Sequence, residues 1–116
     1  MALYKRLIAW KECHQLVLDV YRATDKWPKH ELYGLTSQTR RAAFSGAVNI
    51  VEGATRKGSI EFKRFLNFSL ASLAEVEYAL DVAAALNYLE PQVCEALTVQ
   101  QRRARSLTWK LLRSLG

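Results

Sequence analysis

The chain has 116 residues, a mass of 13.2 kDa and a net charge of +6. That length holds one domain, residues 1–116, with a core that needs neither metal nor disulfide. Half the residues are hydrophobic, 24% are charged, and Gly and Pro are few, which excludes disordered, collagen-like and low-complexity chains. No apolar run approaches the ~18 residues of a membrane span, and Met1–Arg6 lacks the apolar segment of a signal peptide, so the expected address is the cytoplasm, with no membrane partner. The charge is sorted along the chain. Residues 1–39 carry net +2 and residues 40–64 net +4, residues 65–101 carry five acids and no Lys or Arg, and residues 102–116 carry five bases and no acid. Basic blocks attract nucleic acid, and the acidic block can meet a basic surface on a second copy or a partner.

Apolar or small residues recur at Trp10, Cys13, Val17, Val20, Thr24 and Trp27, the spacing of a helix ended by Pro28. A linker runs to Gly34. A second helix starts near Thr36 or Ser37, either of which can cap it, and runs to about Lys57. Gly58 suits a left-handed close of that helix, and Ser59 can cap the next, with Glu61 in its first turn. Helix three carries Phe62, Leu66, Ser69, Leu73, Val76, Leu80 and Ala83, then fades at Asn87-Tyr88. Pro91 suits the first turn of helix four, whose stripe reads Val93, Leu97, Gln100, Ala104, Leu107 and Leu111. Four helices with short connections, and no strand pattern, predict an all-α, antiparallel up-down-up-down four-helix bundle.

Familiar catalytic chemistry is not visible. Cys13 and Cys94 fall at opposite ends of such a bundle, too far apart for a disulfide, and His14 and His30 lack a second ligand at zinc spacing. Glu75, Glu77 and Asp81 read as a solvated acidic face, since a di-iron bundle would need Glu-x-x-His on two helices. There is no P-loop, nucleophile elbow, glycine-rich dinucleotide turn or HExxH motif. The expectation is a non-enzymatic protein with no metal and no cofactor.

Two helical strips stand out. On helix two, Gln38, Arg41, Ser45, Asn49, Glu52 and Arg56 form a strip under about 90° wide. It is flanked on one side by Ala43, Gly46, Ala47, Ile50 and Ala54, and on the other by Phe44, Val48 and Val51. Polar residues between two apolar flanks fit either an internal polar network or a subunit interface that includes Gln38, Arg41, Ser45, Asn49 and Glu52. Gly46 and Gly53 cost about 1 kcal/mol each in helix propensity, which close packing must offset. On helix four, Arg102, Arg105, Trp109 and Arg113 lie opposite the apolar stripe. Arginines can contact phosphates and the indole can stack on an unpaired base. The same residues are common protein–protein hot spots, or the Arg stems can simply lie on the indole ring. Arg40, Arg56, Lys57, Lys63 and Arg64 are further candidates for a nucleic-acid surface.

From Tyr21 to Leu80 the chain carries Trp27-Pro28, Glu31, Tyr33-Gly34-Leu35-Thr36-Ser37-Gln38, Arg40-Arg41-Ala42, Ser45, Asn49-Ile50, Glu52-Gly53, Phe62, Phe65-Leu66, Ala71-Ser72-Leu73 and Glu75. This series resembles the four-helix-bundle proteins encoded in intervening sequences of bacterial 23S rRNA genes, a family that includes the accessory variability protein of diversity-generating retroelements. Gly46-Ala47-Val48 departs from the family pattern, which more often has an apolar residue, Pro and Ser there; losing that Pro should leave helix two straighter. The resemblance implies a non-enzymatic, ring-like homopentamer that binds RNA or DNA, with a reverse transcriptase as partner in the retroelement branch. The resulting expectation is a basic, oligomeric scaffold that binds nucleic acid. The alternative is a protein-interaction module without direct nucleic-acid binding.

Overall fold

The computed structural model describes residues 2–116. A short 3₁₀ turn, Leu3–Arg6, leads into α1 (Ile8–Thr24), and a second, Lys29–Glu31, precedes α2 (Leu35–Ala54). Then come α3 (Ser59–Ala85) and α4 (Pro91–Ser114). Each helix packs on the two that flank it in the ring α1–α2–α3–α4, and the diagonal pairs make no backbone contact. This is the antiparallel bundle that the periodicity predicts, 44 × 24 × 23 Å in extent.

The core follows from the stripes. On α3, Leu66, Ser69, Leu73, Val76, Leu80 and Ala83 are buried, in the phase read from the sequence, with Phe62 half-buried at the edge. On α1, Cys13, Val20 and Thr24 are buried as expected, joined by Ala9 and Leu16, because a helix with two neighbours buries a face wider than one stripe. On α4 the match is partial. The buried residues are Leu97, Gln101, Ala104 and Thr108, whereas Val93 is exposed and Gln100 half-buried. Gln101 faces inward because its amide donates to Glu77 Oε1 at 2.7 Å, and Thr108 because its hydroxyl donates to the Ala104 carbonyl at 2.8 Å. The Thr108 hydroxyl is thereby satisfied, whereas the Gln101 side-chain oxygen is buried without a partner and only its amide NH2 is engaged.

The helix ends also differ from expectation. Neither Thr36 nor Ser37 caps α2. The helix starts at Leu35, and the carboxylate of Glu31 accepts the Leu35 N–H at 3.0 Å while its other oxygen accepts the Tyr88 hydroxyl at 2.9 Å. A side chain four residues upstream therefore does the cap's work and ties the α1–α2 linker to the α3–α4 loop. α2 stops at Ala54, three residues short of Lys57. Gly58 does not close α2, and Ser59 is the first residue of α3 rather than its cap. Gly58 stands immediately before α3 with φ +87°, which few residues other than glycine adopt. The fade of α3 at Asn87 is as read, and Asn87 takes φ 61°.

α2 and α3 approach each other closely, and the glycines make this possible. A Cβ on Gly46 would lie 2.8 Å from Leu73 Cδ2, and one on Gly53 would lie 2.9 Å from the Phe62 ring. The Gly46 carbonyl also accepts the Ser69 hydroxyl at 2.5 Å. Tight packing against α3 is thus what offsets the propensity cost of two helical glycines.

Candidate nucleic-acid interface

The α4 strip is on the surface, and it is held by an acid. Glu77 of α3 takes Arg102 as a two-point pair, at 3.2 Å from Nε and 2.9 Å from Nη2, and takes Arg105 at 3.4 Å. Gln101 donates to the same carboxylate. Glu77 is only 22% exposed, so it is a clamp between α3 and α4, not part of a solvated acidic face. The hydrogen bond from Arg102, with those of Gln101 and the charge of Arg105, holds its carboxyl below the usual range despite partial burial. Trp109 is 49% exposed, and the Arg113 guanidinium lies 4.9 Å from its ring centre. The contact of arginine on indole, one of three readings of this strip, is therefore present at Arg113.

The remaining basic candidates divide between two places. Arg40 lies against α1, donating to the Thr24 hydroxyl at 2.8 Å and sitting 4.8 Å from the Tyr21 ring centre. Arg56, Lys57, Lys63 and Arg64 gather at the α2–α3 corner. There Arg56, just past the end of α2, and Arg64 of α3 lie over the Phe65 ring and pair with Glu52 and Glu61 at 3.4 Å.

That corner belongs to one end of the bundle. Lys63 Nζ donates to the Gly116 carbonyl at 3.0 Å, which brings the C-terminus of α4 beside the start of α3. Gly53 meets Phe62 and Phe65, which brings in the end of α2. Antiparallel order then adds the start of α1. This end collects Lys5, Arg6 and Lys11, the four corner residues, and Lys110 and Arg113, against only Glu12, Glu52 and Glu61. Arg103 reaches this end as well, pairing with Glu12 at 2.9 Å, so ten cations stand against three acids there and the remaining charges nearly cancel. Lys5, Arg6, Lys11 and Lys110 were not among the sequence candidates. The signal for them is topological, since up-down order folds the two basic blocks onto the same end.

The helix-two strip lies at the α2–α3 surface. Gln38 donates to Glu75 at 3.0 Å, the Ser45 and Ser72 hydroxyls meet at 2.8 Å, and Asn49 donates back to Ser45. Arg41 and Glu52 are exposed, with Glu52 bound to Arg56. The strip is a shared polar seam between two helices, and on the same two helices Phe44 (55% exposed), Phe68 and Tyr78 are exposed.

The cysteines and histidines have structural partners. Burial pushes the Cys13 thiol up to about 12, and its sulfur lies 3.8 Å from the Thr108 hydroxyl. Cys94 is half-buried, fourteen residues away from Thr108 along α4. His14 stacks on Trp10 with ring centres 4.9 Å apart, and His30 lies beside Tyr88. Among the described residues, no three His, Cys, Asp or Glu side chains come together as a metal site, and no helix is long and apolar enough to cross a membrane.

These features define an all-α up-down four-helix bundle with a strongly basic end and exposed aromatic side chains on α2 and α3. The family model of the 23S rRNA-intervening sequence protein matches residues 5–109, and the chain belongs to that family. A similar solved structure is the 1.70 Å crystal structure of a protein of unknown function from the S23 ribosomal protein family of Bacteroides thetaiotaomicron. It superposes with a TM-score of 0.85 at 16% identity, over 92% of this chain and 96% of that one, and so supports the fold. No curated protein matches the chain.

Proposed function

We propose that this protein is a non-catalytic, homo-oligomeric scaffold that binds nucleic acid through the basic end of its bundle. The observation that carries the reading is the concentration of positive charge at one end, where ten cationic side chains face three acids. Such a surface neutralises phosphates without reading base sequence. Its main seat is the α2–α3 corner with Lys110 and Arg113, while Arg102 and Arg105 contribute less because Glu77 already holds them.

Assembly is the second part of the proposal. Phe44 of α2 and Phe68 and Tyr78 of α3 are exposed on the two helices that carry the Gln38, Arg41, Ser45, Asn49 and Glu52 seam, and exposed apolar side chains among polar ones are the usual material of a subunit contact. The family resemblance suggests five subunits. A ring repeats the basic end, so weak sites gain avidity. The same exposed aromatics favour one alternative, a protein-interaction module whose partner (a reverse transcriptase, by resemblance) covers them.

Sedimentation and filter binding test both parts. The expected results are an assembly well above 13.2 kDa at micromolar concentration, and binding that falls about 10³-fold or more between 50 and 200 mM salt. A monomer overturns the scaffold. An assembly that binds no RNA, no single-stranded DNA and no duplex leaves the protein-interaction module in its place.

A further inference from the structure

Resting on the nucleic-acid reading above, we infer that the groove between α3 and α4 at Trp109 is a subsite for one unpaired nucleobase with its adjoining phosphate. The groove holds about 560 Å³ and is lined by Leu70 of α3 and by Arg102, Arg105, Ser106 and Trp109 of α4. That volume falls in the range of roughly 300–1,000 Å³ that takes a small-molecule-sized group. The lining is a stacking surface beside a cation pair. Trp109 offers an exposed indole, Leu70 an apolar wall, and the two guanidinium groups stand along α4 within two turns of the ring.

The arrangement selects single strands. The Arg113 guanidinium lies 4.9 Å from the indole centre and is not among the residues lining the groove, and Trp109 stays 49% exposed, so part of the ring is open to a ligand. A planar base entering there stacks on the indole, and every base has a π face to offer. Bases in a duplex are already stacked on one another and do not enter. Glu77 marks where the phosphate belongs. It takes Nε and Nη2 of Arg102 and Nη2 of Arg105, so a phosphate here meets the outward donors that Glu77 leaves, Nη1 of Arg102 and Nε and Nη1 of Arg105. From Trp109 to the end of α4 at Ser114 is about 7.5 Å along the helix, so a strand seated in the groove runs onto the basic end.

Trp109 also reports on its own occupancy. Trp27 is buried and Trp10 is half-buried against His14, so Trp109 is the indole a bound base reaches. The test titrates the assembled protein with oligouridine, with oligothymidine and with a DNA duplex of equal length, following tryptophan fluorescence and affinity. Either single strand should quench the fluorescence and the duplex should not. Trp109→Ala should weaken single-strand binding about 5- to 150-fold, the range of one stacked base at 1.4 kcal/mol per tenfold, and leave duplex binding unchanged. Trp109→Phe should retain most of the affinity. A loss confined to oligouridine assigns the subsite to RNA, and a loss with both strands assigns it to unpaired bases in general.

Equal effects of Trp109→Ala on single strand and duplex, or no effect on either, overturn the subsite and leave the basic end intact. So does a Phe variant as weak as the Ala variant. Sedimentation showing that Trp109→Ala dissociates the assembly moves Trp109 to a subunit contact and also overturns it. Failure of the unmodified protein to bind any of the three overturns the nucleic-acid reading itself.

Discussion

The α4 strip and the α2–α3 corner look alike in the sequence, each with arginines beside an aromatic residue, yet they present different amounts of usable charge. On α4, Glu77 reaches across from α3, is mostly shielded from water, and engages two guanidinium groups at once. At the corner the pairs Arg56–Glu52 and Arg64–Glu61 are single contacts at 3.4 Å between side chains roughly half exposed. Exposed ion pairs of this kind are worth about 0–1 kcal/mol, so an incoming phosphate would displace them readily. Lys57 and Lys63 add charge with no acid to displace, Lys63 resting only on a backbone carbonyl. Availability of charge is set by the partner's geometry, and a count of arginines does not register it.

The largest expected effect tests whether the two regions depend on one frame. Leu73 is fully buried on α3, between the corner and Glu77. Leu73→Ala should cost about 2–5 kcal/mol and lower the melting temperature by many degrees, loosening both regions together. A melt unchanged within a degree or two would mean that α3 does not hold them.

Charge reversal at the corner comes next. On the proposed nucleic-acid reading, Arg56→Glu with Lys57→Glu removes two phosphate contacts. The salt slope should fall by about two and affinity at 50 mM by about two orders of magnitude, with the fold intact by circular dichroism because both side chains are exposed. If Arg102→Glu with Arg105→Glu does the greater damage to duplex binding, the ranking of the two surfaces is reversed.

What could be read beforehand, and what could not, divides along the same line. The α3 stripe from Leu66 to Ala83 was legible because apolar and small residues alone mark its buried face. On α4 Leu97 and Ala104 are buried as the stripe has it and Leu107 and Leu111 pack against the core, but Gln101 and Thr108 escape the pattern because they look like surface residues and their inward turn depends on acceptors at Glu77 and Ala104. The start of α2 escaped because its cap is Glu31, which belongs to the linker and is fixed by Tyr88 from another loop. The polar strip on α2 was legible as an oddity, but its partners Ser72 and Glu75 appear only once α3 is laid beside it. The α4 strip was seen, and its neutralisation by Glu77 was not, since that contact joins residues about 25 positions apart through helix register. The basic end was latent in the charge blocks and needed only the topology to assemble it.

The smallest effect isolates the clamp itself. Glu77→Gln keeps the shape, removes one negative charge and releases Arg102 and Arg105. Nucleic-acid affinity at pH 7 and 50 mM salt should rise about tenfold, and the salt slope by about one. Stability should fall by about 1 kcal/mol or less, because the lost pairs are partly exposed. The pH dependence separates this from a simple packing change. The Glu77 carboxyl lies below its ordinary value because Arg102 donates to it, so the folded state favours the ionised form. Its contribution is complete above the unfolded value of about 4.3 and is lost as pH falls through the lowered folded value. The stability gap between the unmodified protein and Glu77→Gln should therefore be constant at neutral pH and shrink under acid. The affinity gap should close over the same range, since protonation of Glu77 frees the same two arginines that the variant frees. Asp19 and Glu31 also titrate below their usual values, but they are present in both proteins and cancel in the difference. A gap in affinity that persists in acid would mean that Glu77 acts through the packing of α3 on α4, and that Arg102 and Arg105 were available to phosphate from the start.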